Sequence, residues 1–267
     1  MYYDSNVVTN PDINEIYKEA CGAKLPVSVY LPENFDKEKK YPTAIVIHGG
    51  GWHAVGTKSP EWTGGVMNHN AIYYQKRGFV GITISYRGIK ITPETSAKDL
   101  ICDCNDALKF IKENYSFVDT DNVIFLGDSA GGHLVLSLCM ELALTSPLQI
   151  MPKAVIACNP VTDCVCEKWS YSAHSDEARI EVSPMDNIKK VDTKIFLLHG
   201  TLDGCVDIED SRKFFKKMKD AGNDIQMEEI ADTKHAFIVF KYRDSDEKIS
   251  KIHEIIDKYL TEEVAFG

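Results

Sequence analysis

The sequence lacks any long hydrophobic run and any recognisable targeting segment. No stretch of about 18 apolar residues occurs, so a membrane-spanning helix is not expected. The opening residues, Met-Tyr-Tyr-Asp-Ser-Asn, contain neither a basic region nor an apolar core, which argues against a signal peptide. We therefore expect a cytoplasmic protein with no membrane partner.

Basic residues are also scarce relative to acidic ones. The 267 residues include 30 Lys and Arg against 40 Asp and Glu, a formal net charge of −10. An acidic chain repels phosphate backbones, so a nucleic-acid partner is not expected. Hydrophobic residues make up 44% of the chain, which is enough for the core of one α/β domain spanning residues 1–267. The sequence does not indicate an oligomeric state.

The eight cysteines do not have the spacing of a zinc site. The pairs Cys102/Cys104 and Cys164/Cys166 are each separated by one residue, whereas zinc sites favour at least two. Other cysteines, such as Cys139, lie in apolar runs, where a thiol serves as a small core group. We expect free thiols, no bound metal and no cofactor.

Short apolar runs alternate with helical patterns along the chain. Strands are predicted at residues 27–31, 43–47, 79–84, 123–126, 154–157, 195–198 and 225–230. Helices are predicted at residues 66–76, 96–114, 130–144, 207–221 and 245–260. This alternation predicts a mostly parallel sheet covered by helices on both faces, with the first strand antiparallel. The long irregular stretch 159–192 is a candidate lid or substrate loop.

The segment Gly127-Asp128-Ser129-Ala130-Gly131 matches the pattern G-x-S-x-G. It follows a predicted strand and precedes a strongly apolar predicted helix, which is the context of a nucleophile elbow. Such a turn exposes the serine hydroxyl at the top of the sheet. The helix start behind it carries partial positive charge that favours an oxyanion. Ser129 is therefore the candidate nucleophile.

Three further segments follow predicted strands: His48-Gly49-Gly50-Gly51-Trp52, His199-Gly200-Thr201-Leu202-Asp203 and Thr233-Lys234-His235. A glycine run at a strand end leaves backbone N–H groups open to a ligand. The order Ser129, Asp203, His235 is that of the α/β-hydrolase triad. Because the carboxyl ends of parallel strands share one edge of the sheet, we expect these segments to meet there.

These motifs together resemble the α/β-hydrolase superfamily, and within it bacterial esterases with an HGGG oxyanion loop. The resemblance is to acetyl/feruloyl-esterase-like and hormone-sensitive-lipase-like enzymes, and it runs from about Leu25 onwards. The segment beginning at Asn159 and ending at Asp163 also resembles a strand-end segment of such enzymes. Only about 47 residues precede the glycine run, so the helical cap of lipase-like members is expected to be small or absent.

The resemblance implies a serine carboxylesterase with Ser129 as nucleophile, His235 as base and Asp203 as orienting acid. The N–H groups of Gly50, Gly51 and Ala130 would form the oxyanion hole. With a slight cap, the expected substrate is a short-acyl ester, such as an acetyl ester of a sugar or small metabolite.

Four aromatic residues are candidate substrate contacts. Trp52 either walls the acyl pocket or packs under the glycine loop. Trp62, Trp169 and Tyr171 fall in predicted loops, where they could form a platform for a sugar or an aromatic group, or simply pack.

Several neighbouring residues admit a second role. His133 could be another base, but one helical turn below Ser129 it is better suited to a structural role. His48 is expected to brace the glycine loop. Asp163 is the credible rival to Asp203 as triad acid, whereas Asp128 should point away from the histidine.

Two other functional classes stay open at the sequence level. One is an amide hydrolase on the same triad, either arylformamidase-like or a peptidase. The other is a non-catalytic binding module that retained the fold. Intact Ser129, Asp203 and His235 disfavour the binding module.

Overall fold

A computed structural model of the protein describes residues 3–6, 10–53, 67–89 and 91–265. Its centre is one eight-stranded sheet in the order β1-β2-β4-β3-β5-β6-β7-β8. The strands are β1 (Ile13–Ala20), β2 (Ala23–Tyr30), β3 (Tyr41–Ile47), β4 (Val80–Ile84), β5 (Val118–Asp128), β6 (Ala154–Cys158), β7 (Lys194–Gly200) and β8 (Ile225–Ile230). Strand β2 pairs antiparallel with β1 and β4, and all later pairs are parallel. The predicted mostly parallel sheet is confirmed.

Helices cover both faces of this sheet. They are α1 (Asn68–Gln75), α2 (Ala97–Asn114), α3 (Ala130–Cys139), α4 (Asp176–Val182), α5 (Ile208–Asp220) and α6 (Asp246–Glu262). Alternate residues of one strand enter different cores: Ile45 packs with residues of α2, α3 and α5, and Val46 with residues of α1 and α6. A strand buried on both faces must be apolar throughout, which explains the continuous hydrophobic runs of β3, β4 and β6.

The structure departs from the sequence predictions at three elements. Strand β1 was not predicted, because it is a half-exposed edge strand with little apolar alternation. Helix α3 ends at Cys139, well before residue 144. There Glu141 takes a left-handed φ of 47°, the N–H of Leu142 donates to the carbonyl of Ser137 (2.8 Å), and that of Glu141 donates to Leu138 (2.9 Å). This is a Schellman-type helix end without the usual glycine.

The third departure is in residues 159–192, which are less irregular than expected. This segment contains the short helix α4 and two 3₁₀ turns, Glu167–Ser172 and Pro184–Asp186. The first residue of the predicted helix 66–76 and Trp62 lie outside the described residues.

All eight cysteines have free thiols. Within the described ranges, no group of three or more His, Cys, Asp or Glu side chains could hold a metal ion. None of the helices found in those ranges is long and apolar enough to cross a membrane.

Candidate active site

Ser129 lies in a sharp turn between the end of β5 and the start of α3. Its φ of 56° and ψ of −118° are strained for a residue with a side chain. The turn is held from both sides: the N–H of Ser129 donates to the carbonyl of Cys158 (2.8 Å), and its carbonyl accepts from the N–H of His133 (3.0 Å). The surrounding structure therefore fixes the strained geometry that presents the hydroxyl.

The two outer glycines of the G-x-S-x-G segment are required by close backbone contacts. A Cβ atom on Gly131 would lie 2.2 Å from the carbonyl oxygen of Ile47, and one on Gly127 would lie 2.2 Å from that of Gly131. These distances are far below van der Waals contact, so only glycine fits at either position without a backbone shift.

Ser129, His235 and Asp203 form a continuous hydrogen-bonded chain. The Nε2 atom of His235 lies 2.9 Å from Oγ of Ser129, and its Nδ1 atom lies 2.7 Å from Oδ2 of Asp203. The side chain of His235 is 12% exposed, whereas that of Asp203 is fully buried. Three residues more than 30 positions apart in sequence thus meet at the carboxyl ends of β5, β7 and β8.

The Asp203 carboxylate is held by four donors. Oδ1 accepts from the N–H groups of Cys205 (2.7 Å) and Val206 (2.9 Å), and Oδ2 lies 3.3 Å from Nε2 of His199 as well as beside His235. Burial raises the pKa of Asp203, but hydrogen bonds from His199, His235 and Val206 outweigh it, so the pKa is lowered overall. The carboxylate is therefore ionised at neutral pH.

The contact from His199 to Asp203 was not foreseen from the sequence. His199 is buried, its Nε2 atom faces two acceptors, Oδ2 of Asp203 and the carbonyl of Val206, and its Nδ1 atom lies 2.8 Å from Oγ of Ser211. Because a carboxylate and a carbonyl can only accept, Nε2 carries the proton and the Ser211 hydroxyl donates to Nδ1. The segment His199-Gly-Thr-Leu-Asp203 thus supplies both the acid and a donor that holds it.

The glycine run after β3 packs directly on the serine turn. A Cβ atom on Gly49 would lie 2.6 Å from the carbonyl oxygen of Asp128. Gly50 and Gly51 take left-handed φ values of 101° and 63° and line the same cavity as Ser129. Ala130 begins α3 beside Ser129. The three residues predicted to form an oxyanion hole are therefore placed around the serine.

His48 braces this loop, as interpreted from the sequence. Its ring stacks on Tyr86 at a centroid distance of 4.3 Å, and its Nδ1–H donates to the carbonyl of Gly49 (2.8 Å). Burial lowers the pKa of His48 to about 4, so the ring is neutral at physiological pH.

His133 has a structural role, as preferred from the sequence. Its Nδ1 atom accepts from the indole N–H of Trp52 (3.1 Å), so its Nε2–H donates to the carbonyl of Val182 (2.8 Å). The ring is fully buried and ties α3 to the glycine loop and to the end of α4. Both ring nitrogens are occupied, which leaves no base function.

Of the two roles considered for Trp52, substrate contact is the one that the structure does not show. Its side chain is fully buried and does not line the cavity at Ser129. It packs edge-to-face against Trp169 and Tyr171, with centroid distances of 5.7 and 5.9 Å, and those two residues line the cavity instead. The prediction was wrong because the indole N–H finds its partner in His133, which draws the ring inwards.

The rival acids have other partners. Asp163 accepts from the N–H groups of Val165 and Cys166 and so stabilises its own turn. Asp128 accepts from the side-chain amide of Asn159 and does not contact His235 through a hydrogen bond in the described part of the chain.

A cavity of about 310 Å³ opens at Ser129. Its lining residues are Gly49, Gly50, Gly51, Met67, Asp128, Ser129, Trp169, Tyr171, Cys205, His235, Ala236, Val239 and Tyr242. A larger hollow of about 630 Å³ lies near the amino ends of β3 and β5, around Pro42 and Asn122, and contains no nucleophile–base pair. The smaller cavity is therefore the candidate site, because it combines a serine hydrogen-bonded to a histidine with apolar walls.

Known proteins resemble this chain in part of its sequence and in its fold. The family model described as BD-FAE matches residues 27–151, slightly less than half of the chain. Among curated proteins, the chain is 31% identical over 183 residues to methylphloroacetophenone synthase of Cladonia uncialis and 32% identical over 132 residues to a probable dipeptidyl-peptidase 5 of Aspergillus clavatus. These matches cover 62% and 46% of this chain but only 7% and 17% of the lengths of those relatives.

The solved structures that match cover almost the whole chain. Thermogutta terrifontis esterase 2 phosphorylated by paraoxon aligns with a TM-score of 0.80 at 23% identity, covering 94% of this chain and 93% of that one. The propionate-bound form of the same esterase aligns with a TM-score of 0.79 at 24% identity, with the same coverage. At sequence identities this low, the structural similarity shows a shared fold.

Proposed function

We propose that this chain, an α/β-hydrolase, is a serine carboxylesterase that hydrolyses short-acyl esters through an acyl-enzyme on Ser129. The fold, which matches that of bacterial esterases, supports a carboxylesterase. The observation that carries the proposal is the hydrogen-bonded chain from Ser129 through His235 to Asp203, of which Ser129 and His235 line the cavity. A small-molecule ester is the proposed partner, and the eight free thiols suit a reducing cytoplasm.

In the first half of the proposed reaction, Oγ of Ser129 attacks the ester carbonyl while Nε2 of His235 takes its proton. Asp203 keeps the proton of His235 on Nδ1, so that Nε2 is free to act as base, and it stabilises the imidazolium that forms. His235 then protonates the departing alcohol. In the second half, His235 activates a water molecule that releases the acyl group and restores Ser129.

The proposed oxyanion donors are the N–H groups of Gly50, Gly51 and Ala130. Ala130 begins α3, where the unpaired N–H groups of the first turn carry partial positive charge. Fixed donors of this kind stabilise the tetrahedral intermediate without reorganising during the reaction, and losing one typically costs about 3–4 kcal/mol of barrier.

The size of the cavity supports a short acyl group. Its volume of about 310 Å³ lies at the lower end of the range for small-molecule sites, and bulky rings of Trp169 and Tyr171 form one wall. The structural neighbour is also recorded with propionate and with butyrate bound. An acetyl ester of a sugar or small metabolite is the finer proposal.

The experiment is hydrolysis of p-nitrophenyl esters from acetyl to dodecanoyl, with Ser129→Ala as the control. We expect rapid turnover of the acetyl and propionyl esters, a decline with chain length, and a loss of roughly 10⁴-fold or more in the variant. Folded protein without turnover of any ester would refute the proposal. Equal turnover at all chain lengths would refute only the short-acyl part.

Amide hydrolysis is the second candidate, favoured by the similarity to dipeptidyl-peptidase 5 proteins. The triad can also cleave amides, and the ester result alone does not distinguish the two. Assay of aminoacyl and dipeptidyl p-nitroanilides beside the matched p-nitrophenyl esters separates them. A higher kcat/KM on the anilides would assign the chain to amide hydrolysis.

A further inference from the structure

Asp128 is a buried carboxylate beside the nucleophile that the proposed mechanism does not use. Asp128 is the last residue of β5, is 3% exposed, and lines the cavity together with Ser129. A charge taken out of water requires hydrogen-bond partners for both of its oxygens, since an unmade bond to a buried charge is costly. The partners of these oxygens therefore indicate what the site is built to hold.

One oxygen is already satisfied. Oδ1 of Asp128 accepts from the side-chain NH₂ of Asn159 (3.0 Å). The orientation of that amide is set from the other side, because Oδ1 of Asn159 faces the N–H of Gly200 (3.5 Å). The backbone N–H of Asn159 also donates to Leu198 (2.8 Å), which anchors the residue at the end of β6.

The other oxygen faces the glycine loop. Oδ2 of Asp128 lies 3.2 Å from the position that a Cβ atom on Gly49 would occupy, and Gly49 lines the cavity. No hydrogen bond to Oδ2 is found in residues 3–6, 10–53, 67–89 and 91–265. Burial raises the pKa of Asp128 to about 6, and the charged groups that act on it are His235, Asp203 and His199. Among the described residues, Oδ2 of Asp128 is not one of the fully enclosed polar atoms without a partner, so it is open to the cavity, where a water molecule or a substrate group can donate to it.

A substrate donor would complete this arrangement, and its charge is restricted by His235. During the proposed reaction His235 becomes an imidazolium, which would repel an ammonium group bound beside it. A neutral hydroxyl donates to a carboxylate without that penalty, and bonds to an ionised acceptor are among the stronger ones. An alkyl group that displaces water from Oδ2 would leave this oxygen without a donor.

We propose that Oδ2 of Asp128 accepts a hydrogen bond from a hydroxyl group of the substrate close to the scissile ester. This inference rests on the proposed esterase function and deepens it, because it selects hydroxylated esters over alkyl ones. The hydroxyl could belong to the alcohol part, as in a partly acylated polyol or sugar, or to the acyl part, as in a 2-hydroxy acid ester. An isosteric alkyl ester that displaces water from Oδ2 offers no donor in its place, so it is hydrolysed less efficiently.

The test compares two isosteric substrate pairs. The first pair is 2-hydroxyethyl acetate and propyl acetate, in which the first ester carries a hydroxyl on its alcohol side where the second has a methyl group. The second pair is methyl glycolate and methyl propanoate, which differ in the same way on the acyl side. We expect wild-type kcat/KM to favour the hydroxyl member of one pair by about 10-fold or more. The pair that shows the preference identifies the side on which the hydroxyl lies.

The variants are Asp128→Asn and Asp128→Leu. The asparagine variant keeps an acceptor for Asn159 but presents a neutral amide to the cavity, so the preference should fall several-fold; the leucine variant should abolish it. Circular dichroism and thermal unfolding show whether each variant is folded, and the readout is the ratio of kcat/KM for the hydroxyl and alkyl members within each variant. Asp163→Asn, which removes a carboxylate that accepts from the N–H groups of its own turn, is the matched control and should keep the full preference.

The outcomes separate the inference from the proposed function. Wild-type hydrolysis of both members of each pair at equal rates overturns the hydroxyl site and leaves the esterase intact. Equal losses on hydroxyl and alkyl esters in Asp128→Asn also overturn it, because Asp128 would then act through His235 and not on the substrate. Failure of the wild type on every ester would instead remove the proposed function.

Discussion

Two histidine rings hold the carboxylate of Asp203. His235 is the partner that the sequence order predicts, and Nε2 of His199 also lies 3.3 Å from the same oxygen. Since the Nε2–H of His199 is also shared with the carbonyl of Val206, it fixes the carboxylate relative to the loop after β7. We infer that His199 is a positioning residue for the acid.

Replacing His199 with Leu should lower kcat by about 10-fold and leave KM nearly unchanged, because the acid loses orientation while the cavity keeps its shape. The free energy of unfolding should fall by about 1.5–3 kcal/mol, the usual cost of a lost hydrogen bond to a charged group. Steady-state kinetics and urea unfolding measure the two effects.

His199→Gln is the matched variant, since its side-chain amide can place an N–H near the position of Nε2. It should recover part of kcat. If Leu and Gln reduce kcat equally, or if both raise KM instead, the positioning role is wrong.

At the scale of the elements, the serine turn depends on how closely α3 approaches β3. A Cβ atom on Gly131 would lie 2.2 Å from the carbonyl of Ile47, so a methyl group must push the helix away from the strand. Gly204, in the loop that carries Asp203, has open space around it. Substitution of Gly131 therefore tests the close contact between α3 and β3, and substitution of Gly204 tests the loop that carries Asp203.

Gly131→Ala should destabilise the protein by at least about 1–3 kcal/mol, the range for overpacking, and should remove esterase activity because Ser129 moves with α3. Thermal unfolding and the p-nitrophenyl acetate assay measure both effects. Gly204→Ala should keep stability within about 1 kcal/mol of wild type. Normal activity in Gly131→Ala would mean that the turn tolerates a wider helix–strand spacing than we infer.

The segment 159–192 contributes residues to the cavity wall. Its 3₁₀ turn Glu167–Ser172 carries Trp169 and Tyr171 to the cavity wall, and Trp52 packs behind them. Two of the three predicted platform residues, Trp169 and Tyr171, thus line the cavity from a folded segment, and the third, Trp62, lies outside the described residues. A mobile lid in this region stays a prediction.

At the scale of the whole molecule, buried histidines couple folding to pH. Burial lowers the pKa of His48 and His133 to about 4 and that of His253 to about 3. The unfolded chain binds these protons near pH 6.5 and the native protein does not, so stability is full above pH 6.5 and is lost as the pH falls towards 4. Asp128, whose pKa is raised to about 6, takes up one proton in the native protein as the pH falls. This uptake opposes the loss of stability caused by the histidines.

The net difference of about two protons should make the free energy of unfolding fall by roughly 2–3 kcal/mol per pH unit near pH 5. Urea unfolding at several pH values measures this slope. His253→Phe removes one of the three rings while keeping an aromatic group between Tyr73 and Phe240, and the slope should drop by about 1.4 kcal/mol per pH unit. An unchanged slope in this variant would show that His253 is protonated in the native state.

The order of the elements and the positions of the motifs were predictable from the sequence, because both are local properties. A strand buried on both faces must be continuously apolar, as at residues 43–47, and a motif that follows it must lie at the sheet edge. The edge strand β1 and the early end of α3 were not predictable in this way. The first has no apolar pattern, and the second depends on a left-handed residue, Glu141, that is not a glycine.

By itself the sequence determined the mostly parallel sheet, the serine turn and the edge at which Ser129, Asp203 and His235 meet, since each follows from short-range patterns. Only the tertiary structure decided that Trp52 is buried, that His199 supports Asp203, and that Asp128 lines the cavity. Each of these depends on a partner from another element, and a side chain's direction is set by which partner satisfies it. Hydrophobic periodicity carries no information about such polar pairings across the fold.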